Sequence, residues 1–242
     1  MDKKFMAEHF DKLCLTNYAL IKGEIKGIAI YLSGLQHVIN IPVDNEVAPL
    51  CAEKSILYIY PFLNPQCWMN SRAVKHADAI IDCAIERYNL RKDIPVGIYG
   101  GSMGGYGTFH YAIKSKHNIV AADLNCPCCN IEFELFANQN SVLRTYFESA
   151  IDDTDDFYAY VKENSPVNMV DKLPNIPYRM LVGLKDNVLI PSQHGLLMAE
   201  RMLEAGLDIE RIDMPTMGHC NFSVNDKFNE FRWLCDKILA NS

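Results

Sequence analysis

Short apolar runs that favour β-structure alternate along this chain with segments whose apolar residues recur at helical spacing. This alternation predicts βαβ units, because parallel strands need a crossover helix that packs back on the sheet. We therefore expect an α/β fold with a mostly parallel central sheet and helices on both faces. The predicted strands cover residues 25–32, 55–62, 95–99, 119–124, 178–183 and 209–214, and the predicted helices cover 72–88, 103–114, 192–206 and 226–240.

The chain has 242 residues and no internal repeat or Pro/Gly-rich linker, so we expect one domain over residues 1–242. A net charge of −7 without a Lys/Arg-rich block argues against a nucleic-acid partner. No apolar run approaches the roughly 18 residues of a membrane span, and residues 1–15 lack the apolar region of a secretory signal. Nine cysteines, an odd number scattered through apolar segments, indicate reduced thiols and a cytoplasmic protein.

Residues 130–164 interrupt the alternation, because they separate two strands by more than one crossover helix needs. The segment is rich in aromatic and acidic residues. We predict a helical cap insertion over the carboxyl ends of the strands, where open α/β sheets bind ligands. The alternative is that its aromatic residues fill core beneath an ordinary surface excursion.

The sequence GGSMGG around Ser102 follows a predicted strand and opens a predicted helix. A G-x-S-x-G motif in this context is typical of a nucleophile elbow, a strained turn that exposes the serine hydroxyl. Gly100 and Gly104 would remove side-chain collisions at the turn, and Gly105 and Gly107 would let the helix pack closely on the sheet. A phosphate-binding turn would call for a P-loop lysine or a wider G-x-G-x-x-G, and the chain has neither there.

Two backbone amides are candidates for an oxyanion hole. The turn would direct the Met103 N–H, at the positive end of the helix, toward the space in front of the serine hydroxyl. A second donor is expected in the loop after the first predicted strand, and Leu35 N–H is our candidate there.

A serine needs a positioned base to act as a nucleophile near neutral pH. His219 lies in the loop PTMGHC after the last predicted strand, whereas the other six histidines fall in the N-terminal region or on or beside helices. Asp186, in GLKDNVLIP after the strand 178–183, can orient that histidine; Asp123 and Asp213 are weaker candidates. The order Ser102, Asp186, His219, each after a separate strand, predicts a catalytic triad.

These motifs, together with Ser165-Pro166 ahead of the strand that precedes Asp186, resemble the α/β-hydrolase superfamily over residues 23–239. Within it they look most like the catalytic domain of the prolyl-oligopeptidase group and its small carboxylesterase relatives. The resemblance implies an α/β-hydrolase fold and acyl transfer through a serine ester without a cofactor. The chain differs from the family in having Ser33-Gly34 where His-Gly is frequent, and in lacking the oligopeptidase propeller, which favours a stand-alone carboxylesterase.

Three functions remain open at this point. The leading hypothesis is a serine esterase whose partner is a small-molecule ester. An aminopeptidase or dipeptidase is the alternative, with acids of the insertion binding a substrate α-ammonium. The candidate acids are Glu134, Asp152, Asp153, Asp155 and Asp156. A non-catalytic binding protein on a hydrolase scaffold is the third hypothesis.

Substrate contacts are expected from loops near the triad. The candidates are Phe62, Trp68, Tyr106, Cys126 and Pro127, and core packing is the alternative role for the aromatic ones. Cys126 and Cys129 have C-x-x-C spacing, but no second Cys/His pair at ligand spacing accompanies them, so we expect no metal site in this motif. Cys220, next to His219, could make activity sensitive to oxidation.

Overall fold

A computed structural model describes residues 3–35 and 47–242. Within them all six predicted strands are present, with ends within two residues of the prediction. The strands are β1 (Cys14–Thr16), β2 (Gly27–Leu32), β3 (Ile56–Pro61), β4 (Val96–Gly101), β5 (Ile119–Asn125), β6 (Tyr178–Gly183) and β7 (Ile209–Met214). The α-helices are α1 (Lys3–Glu8), α2 (Phe10–Leu13), α3 (Val47–Glu53), α4 (Ser71–Arg87), α5 (Met103–Lys114), α6 (Ser141–Ala150), α7 (Phe157–Asn164), α8 (Gly195–Glu204) and α9 (Val224–Leu239).

The described strands form one sheet in the order β1-β3-β2-β4-β5-β6-β7. Every neighbouring pair is parallel except β1 and β3, which run antiparallel. The edge strand β1 was not predicted, because three residues are too few to display a period of two. The sheet therefore confirms a mostly parallel α/β architecture and adds an antiparallel edge.

Successive residues of the central strands pack in different hydrophobic clusters, one on each face of the sheet. In β2, Ile28 and Ile30 pack in a cluster with residues of α4 and α5, whereas Ala29 packs in a cluster with residues of α3 and α9. Successive side chains of a strand point to opposite faces, so this division places helices on both faces. Both faces are apolar, as expected for a parallel sheet buried between helices.

The parallel pairing also brings four loops to one edge of the sheet. Gly101 at the end of β4 is in register with Asn125 at the end of β5, and Gly183 at the end of β6 with Met214 at the end of β7. The loops after these strands carry Ser102, Asp186 and His219. The fold therefore gathers residues that are far apart in the sequence.

The predicted insertion contains α6, α7 and a π-helical turn at Phe133–Ala137. Its Phe147 is fully buried and makes edge contacts with Trp68 and Tyr106. Asn70 donates to the Ala150 carbonyl, and the Ser71 hydroxyl donates to Asp152 at 2.6 Å. The insertion thus packs on the start of α4 and the flank of α5, which favours the core-filling role for its aromatic residues.

Two carboxyl groups are buried, one on a strand of the sheet and one on a helix. Asp123 on β5 and Glu230 on α9 are 0% and 1% exposed. Burial raises the pKa of both groups well above their usual range, and a charge on Asp123 would raise the pKa of Glu230 further. The folded protein therefore holds protons on these groups that the unfolded chain would release.

This pair predicts a pH-dependent loss of stability. The contribution of these two groups to the free energy of unfolding is fully present below the carboxyl pKa of the unfolded chain. It is lost as the pH rises toward the raised pKa of the folded state. The free energy of unfolding then falls with a slope approaching ~1.4 kcal/mol per pH unit for each proton held. The variant Asp123→Asn/Glu230→Gln should become more stable relative to wild type between pH 5 and 8, as measured by urea unfolding. The exposed-site variant Asp93→Asn is the control. Equal pH slopes for wild type and the double variant would contradict this account.

Candidate active site

Ser102 sits between β4 and α5 with φ 55° and ψ −120°, in a region that non-glycine residues rarely adopt. Its backbone is held from two sides: its N–H donates to the Asn125 carbonyl at 3.0 Å, and its carbonyl accepts from Cys128 N–H at 3.0 Å. Such a conformation costs about 1–3 kcal/mol and persists where the surroundings determine it. The end of β5 and the loop after it therefore hold the strained turn that exposes the Ser102 side chain.

Glycines allow the close approaches around this turn. A Cβ at Gly104 would collide with the Leu32 carbonyl, and one at Gly105 would lie 2.5 Å from Pro127 Cβ. The predicted role of Gly107 was wrong, because a Cβ there would meet nothing nearer than 3.5 Å. Close packing of the helix thus depends on its first turn.

The side chains of Ser102, His219 and Asp186 form one hydrogen-bonded chain. His219 Nδ1 lies 2.7 Å from Asp186 Oδ2, and His219 Nε2 lies 2.9 Å from Ser102 Oγ. An ionised carboxylate can only accept, so Nδ1 carries the proton and Nε2 is left to accept from the serine hydroxyl. This is the arrangement in which an imidazole can remove a proton from serine.

Asp186 is 8% exposed and is fixed by its own loop. Its Oδ1 accepts from the N–H groups of Val188 and Leu189 at 2.8 and 2.9 Å. Burial raises the pKa of Asp186, but hydrogen bonds from His219 and the two amides outweigh burial and hold it below the usual value. The group opposite His219 Nδ1 is therefore an anion near neutral pH.

The weaker candidates lie elsewhere. Asp123 is buried within β5 and Asp213 lies within β7, so neither follows a strand end. Burial lowers the pKa of His110 to about 3, and its Nε2 bonds the Asn164 carbonyl. His37, another of the histidines considered, lies outside the described residues.

Of the two predicted oxyanion donors, Met103 is the first residue of α5, so its N–H is not used within the helix. The loop containing Leu35 approaches the turn: a Cβ added at Gly34 would lie 3.9 Å from Ser102 Cβ. The assignment of Leu35 N–H as the second donor stays a prediction.

The predicted substrate contacts fall into two groups. Trp68 and Tyr106 are 3% and 1% exposed and pack edge to face with ring centroids 5.3 Å apart, which favours the packing role. Phe62 is half-buried against Tyr60. Pro127 lies against Gly105 beside the Ser102 turn, whereas Cys126 lies near Gly183 and contacts the loop that carries His219.

A buried contact that the sequence did not reveal ties the insertion to α8. His194 Nδ1 accepts from the backbone N–H groups of Cys129 and Asn130, so its Nε2 carries the proton and donates to Glu134 Oε1 at 3.0 Å. Glu134 and His194 are 0% and 1% exposed. This contact connects the segment after β5 to the helix that follows the Asp186 loop, and only the tertiary fold brings the two residues together.

Two cysteines stand beside the histidine. The Sγ atoms of Cys126 and Cys220 and a ring nitrogen of His219 all lie within 4.8 Å of one another. The interaction between the two thiols lowers the pKa of Cys126 to about 7, against the effect of burial, and raises that of Cys220. Cys129, the other member of the C-x-x-C motif, instead donates to the Pro127 carbonyl. None of the nine cysteines is in a disulfide.

No known protein-family model matches the chain. Among curated proteins, it is 25% identical over 165 residues to the acylamino-acid-releasing enzyme of Arabidopsis thaliana, a match that covers 62% of this chain and 20% of that protein. The chain thus spans about a fifth of the length of this curated relative.

Among solved structures, a puromycin hydrolase matches with a TM-score of 0.72 at 14% identity, over 90% of this chain and 34% of that one. Esterase B of Lactobacillus rhamnosis matches with a TM-score of 0.65 at 13% identity, over 91% of this chain and 80% of that one. With the sheet topology, these likenesses show that the chain has the α/β-hydrolase fold, as predicted. Among residues 3–35 and 47–242, no helix has the length and apolar character needed to cross a bilayer.

Proposed function

We propose that this protein is a serine hydrolase that cleaves a carboxylic ester through a covalent acyl-serine intermediate. The observation that carries the proposal is the hydrogen-bonded chain from Ser102 Oγ through His219 to Asp186, with separations of 2.9 and 2.7 Å. Nucleophile, base and orienting acid stand in the order and within the reach that acyl transfer needs. A non-catalytic binding protein would have no need for this alignment.

In the first half of the reaction, Ser102 Oγ attacks the ester carbonyl carbon while its proton passes to His219 Nε2. Asp186 stabilises the imidazolium that forms, and the amides of Met103 and Leu35 would donate to the oxyanion. The carbon–oxygen bond to the alcohol then breaks, and His219 returns the proton to the leaving oxygen. The acyl group stays on Ser102.

In the second half, His219 removes a proton from water, and the resulting hydroxide attacks the acyl-serine carbonyl. The bond to Ser102 Oγ breaks, the serine regains its proton from His219, and the carboxylic acid leaves. Every proton moves through the one imidazole, so no cofactor is required.

Peptide hydrolysis is the second candidate, because the curated relative is an acylamino-acid-releasing enzyme. An aminopeptidase or dipeptidase that binds a substrate α-ammonium through the insertion would need a free carboxylate there. Glu134 is buried against His194, Asp152 accepts from Ser71, and Asp156 caps α7 through Ala159 N–H. Three of the five candidate acids thus have structural partners, which argues against an α-ammonium site formed by them; Asp153 and Asp155 are exposed.

Covalent labelling tests the nucleophile. A fluorophosphonate probe should label the wild-type protein at one residue, and Ser102→Ala should lose all labelling, because an activated serine attacks the probe's phosphorus, displaces fluoride and becomes phosphonylated. Ser149→Ala, at an exposed serine of α6, should label like wild type. Labelling is read by gel fluorescence and the modified peptide by mass spectrometry. Absence of labelling in folded wild-type protein would overturn the proposal.

The leaving group distinguishes the two candidates. We expect a higher kcat/KM on p-nitrophenyl acyl esters than on aminoacyl p-nitroanilides. We also expect no loss of kcat/KM when the α-amine of an anilide or ester substrate is acetylated, because the proposed site binds no ammonium. A peptidase that recognises an α-ammonium would instead lose activity on acetylation. Asp153→Asn/Asp155→Asn would then reduce kcat/KM for the free-amine substrates alone.

A further inference from the structure

We propose that Cys126, Cys220 and His219 form a binding site for a soft divalent cation, zinc foremost, and that the bound ion inhibits the enzyme. The inhibition rests on the proposed function, because it requires that His219 be the catalytic base. The binding of the metal does not.

The ligand atoms have the spacing that zinc needs. Tetrahedral zinc with bonds of about 2.3 Å to sulfur and 2.0–2.1 Å to nitrogen separates two sulfurs by about 3.8 Å and a sulfur from a nitrogen by about 3.6 Å. Cys220 Sγ lies 3.9 Å from His219 Nε2, and all three ligand atoms lie within 4.8 Å of one another. The separations between the three ligand atoms would therefore have to shorten by up to about 1 Å to close around an ion.

The nature of the ligands selects the metal. Two thiolates and an imidazole suit zinc, whereas magnesium and calcium prefer carboxylate and carbonyl oxygens. A Cys₂His set also leaves the fourth tetrahedral position open. Because Ser102 Oγ lies 2.9 Å from His219 Nε2, the serine hydroxyl must move aside before an ion can bind that nitrogen.

The histidine is already oriented as metal-binding histidines usually are. A ligating imidazole donates its other N–H to a carboxylate or carbonyl, which fixes the tautomer and strengthens the ligand. His219 Nδ1 makes this contact with Asp186 at 2.7 Å. The contact that prepares Nε2 to accept a proton equally prepares it to bind a metal.

The backbone and the exposure of the site provide independent support. Cys126 and Cys220 both adopt positive φ, 42° and 52°, in a region uncommon for residues other than glycine and asparagine. Such strained residues cluster at ligand-binding sites and active sites. The His219 side chain is 19% exposed and Cys220 is half-buried, so an ion can enter from solvent.

Metal binding and catalysis both require the lone pair of His219 Nε2. As the ion binds, both thiols release their protons to solvent, and Cys220 gives up its contact with the Asn125 carbonyl. The Nε2 lone pair that accepts the Ser102 proton is then occupied by the metal. A metal-loaded molecule therefore has a serine without a base.

Binding is measured in Ser102→Ala, which cannot turn over and so separates binding from activity. After chelator treatment and reduction, this variant should bind one zinc ion by calorimetry, and Co²⁺ should produce a thiolate-to-cobalt charge-transfer band. Affinity should increase with pH, because the thiols must ionise. Adding Cys220→Ser should weaken binding by roughly 100-fold or more, and Asp186→Asn by about 10–100-fold. Cys67→Ser, at a buried cysteine that lines a cavity without any of the three proposed ligands, is the control.

Activity is measured separately in the chain with Ser102 intact. Buffered zinc should inhibit ester hydrolysis by wild type and Cys67→Ser, with reversal by chelator, whereas Cys220→Ser should need roughly 100-fold more zinc. Absence of stoichiometric binding, a cobalt spectrum without the thiolate band, or equal affinities in Cys220→Ser and Cys67→Ser would overturn the metal site. Metal binding by a wild-type chain without hydrolase activity would instead leave the site standing and overturn the proposed function.

Discussion

The hydrogen bond between His219 Nδ1 and Asp186 is the contact on which the rest of the site depends. At 2.7 Å it joins the loop after β7 to the loop after β6, and it determines which imidazole nitrogen carries the proton. The remaining nitrogen then faces Ser102 at 2.9 Å. Two further backbone amides donate to Asp186 and hold it as an anion. The loop after β6 therefore determines which atoms donate and which accept in the hydrogen bonds from Asp186 to Ser102.

The sheet supplies the positions that this contact needs. Parallel strands bring their carboxyl ends to one edge, and the end of β5 holds the turn at Ser102 through the Asn125 carbonyl. The same carbonyl accepts from Cys220 at 3.3 Å, so the serine and histidine loops share a backbone anchor. Beside the strained Ser102 backbone, glycine at position 104 permits the close approach of the first turn of α5 to the Leu32 carbonyl.

Much of this arrangement could be predicted from the sequence, because it depends on local patterns. The strands from β2 onward carry enough apolar residues to display their type, and Ser102, Asp186 and His219 each lie in the segment after a different strand. Three residues of β1 were too few to display a period. The contact of Cys126 with Cys220 and that of His194 with Glu134 arise from register and packing between distant segments, which no local pattern encodes. Trp68 and Tyr106 could be placed near the site, but whether they face substrate or core depended on the packing of Phe147.

The central claim is that Asp186 acts through His219, and the rate of Ser102 acylation in Asp186→Asn tests it most directly. Asparagine keeps the shape of the side chain but removes the charge and disturbs the imidazole tautomer. The rate of p-nitrophenol release in a single turnover should fall by about 10⁴-fold, while thermal stability and apparent substrate affinity change little. A rate within tenfold of wild type, in a variant that is folded, would contradict this account of the site.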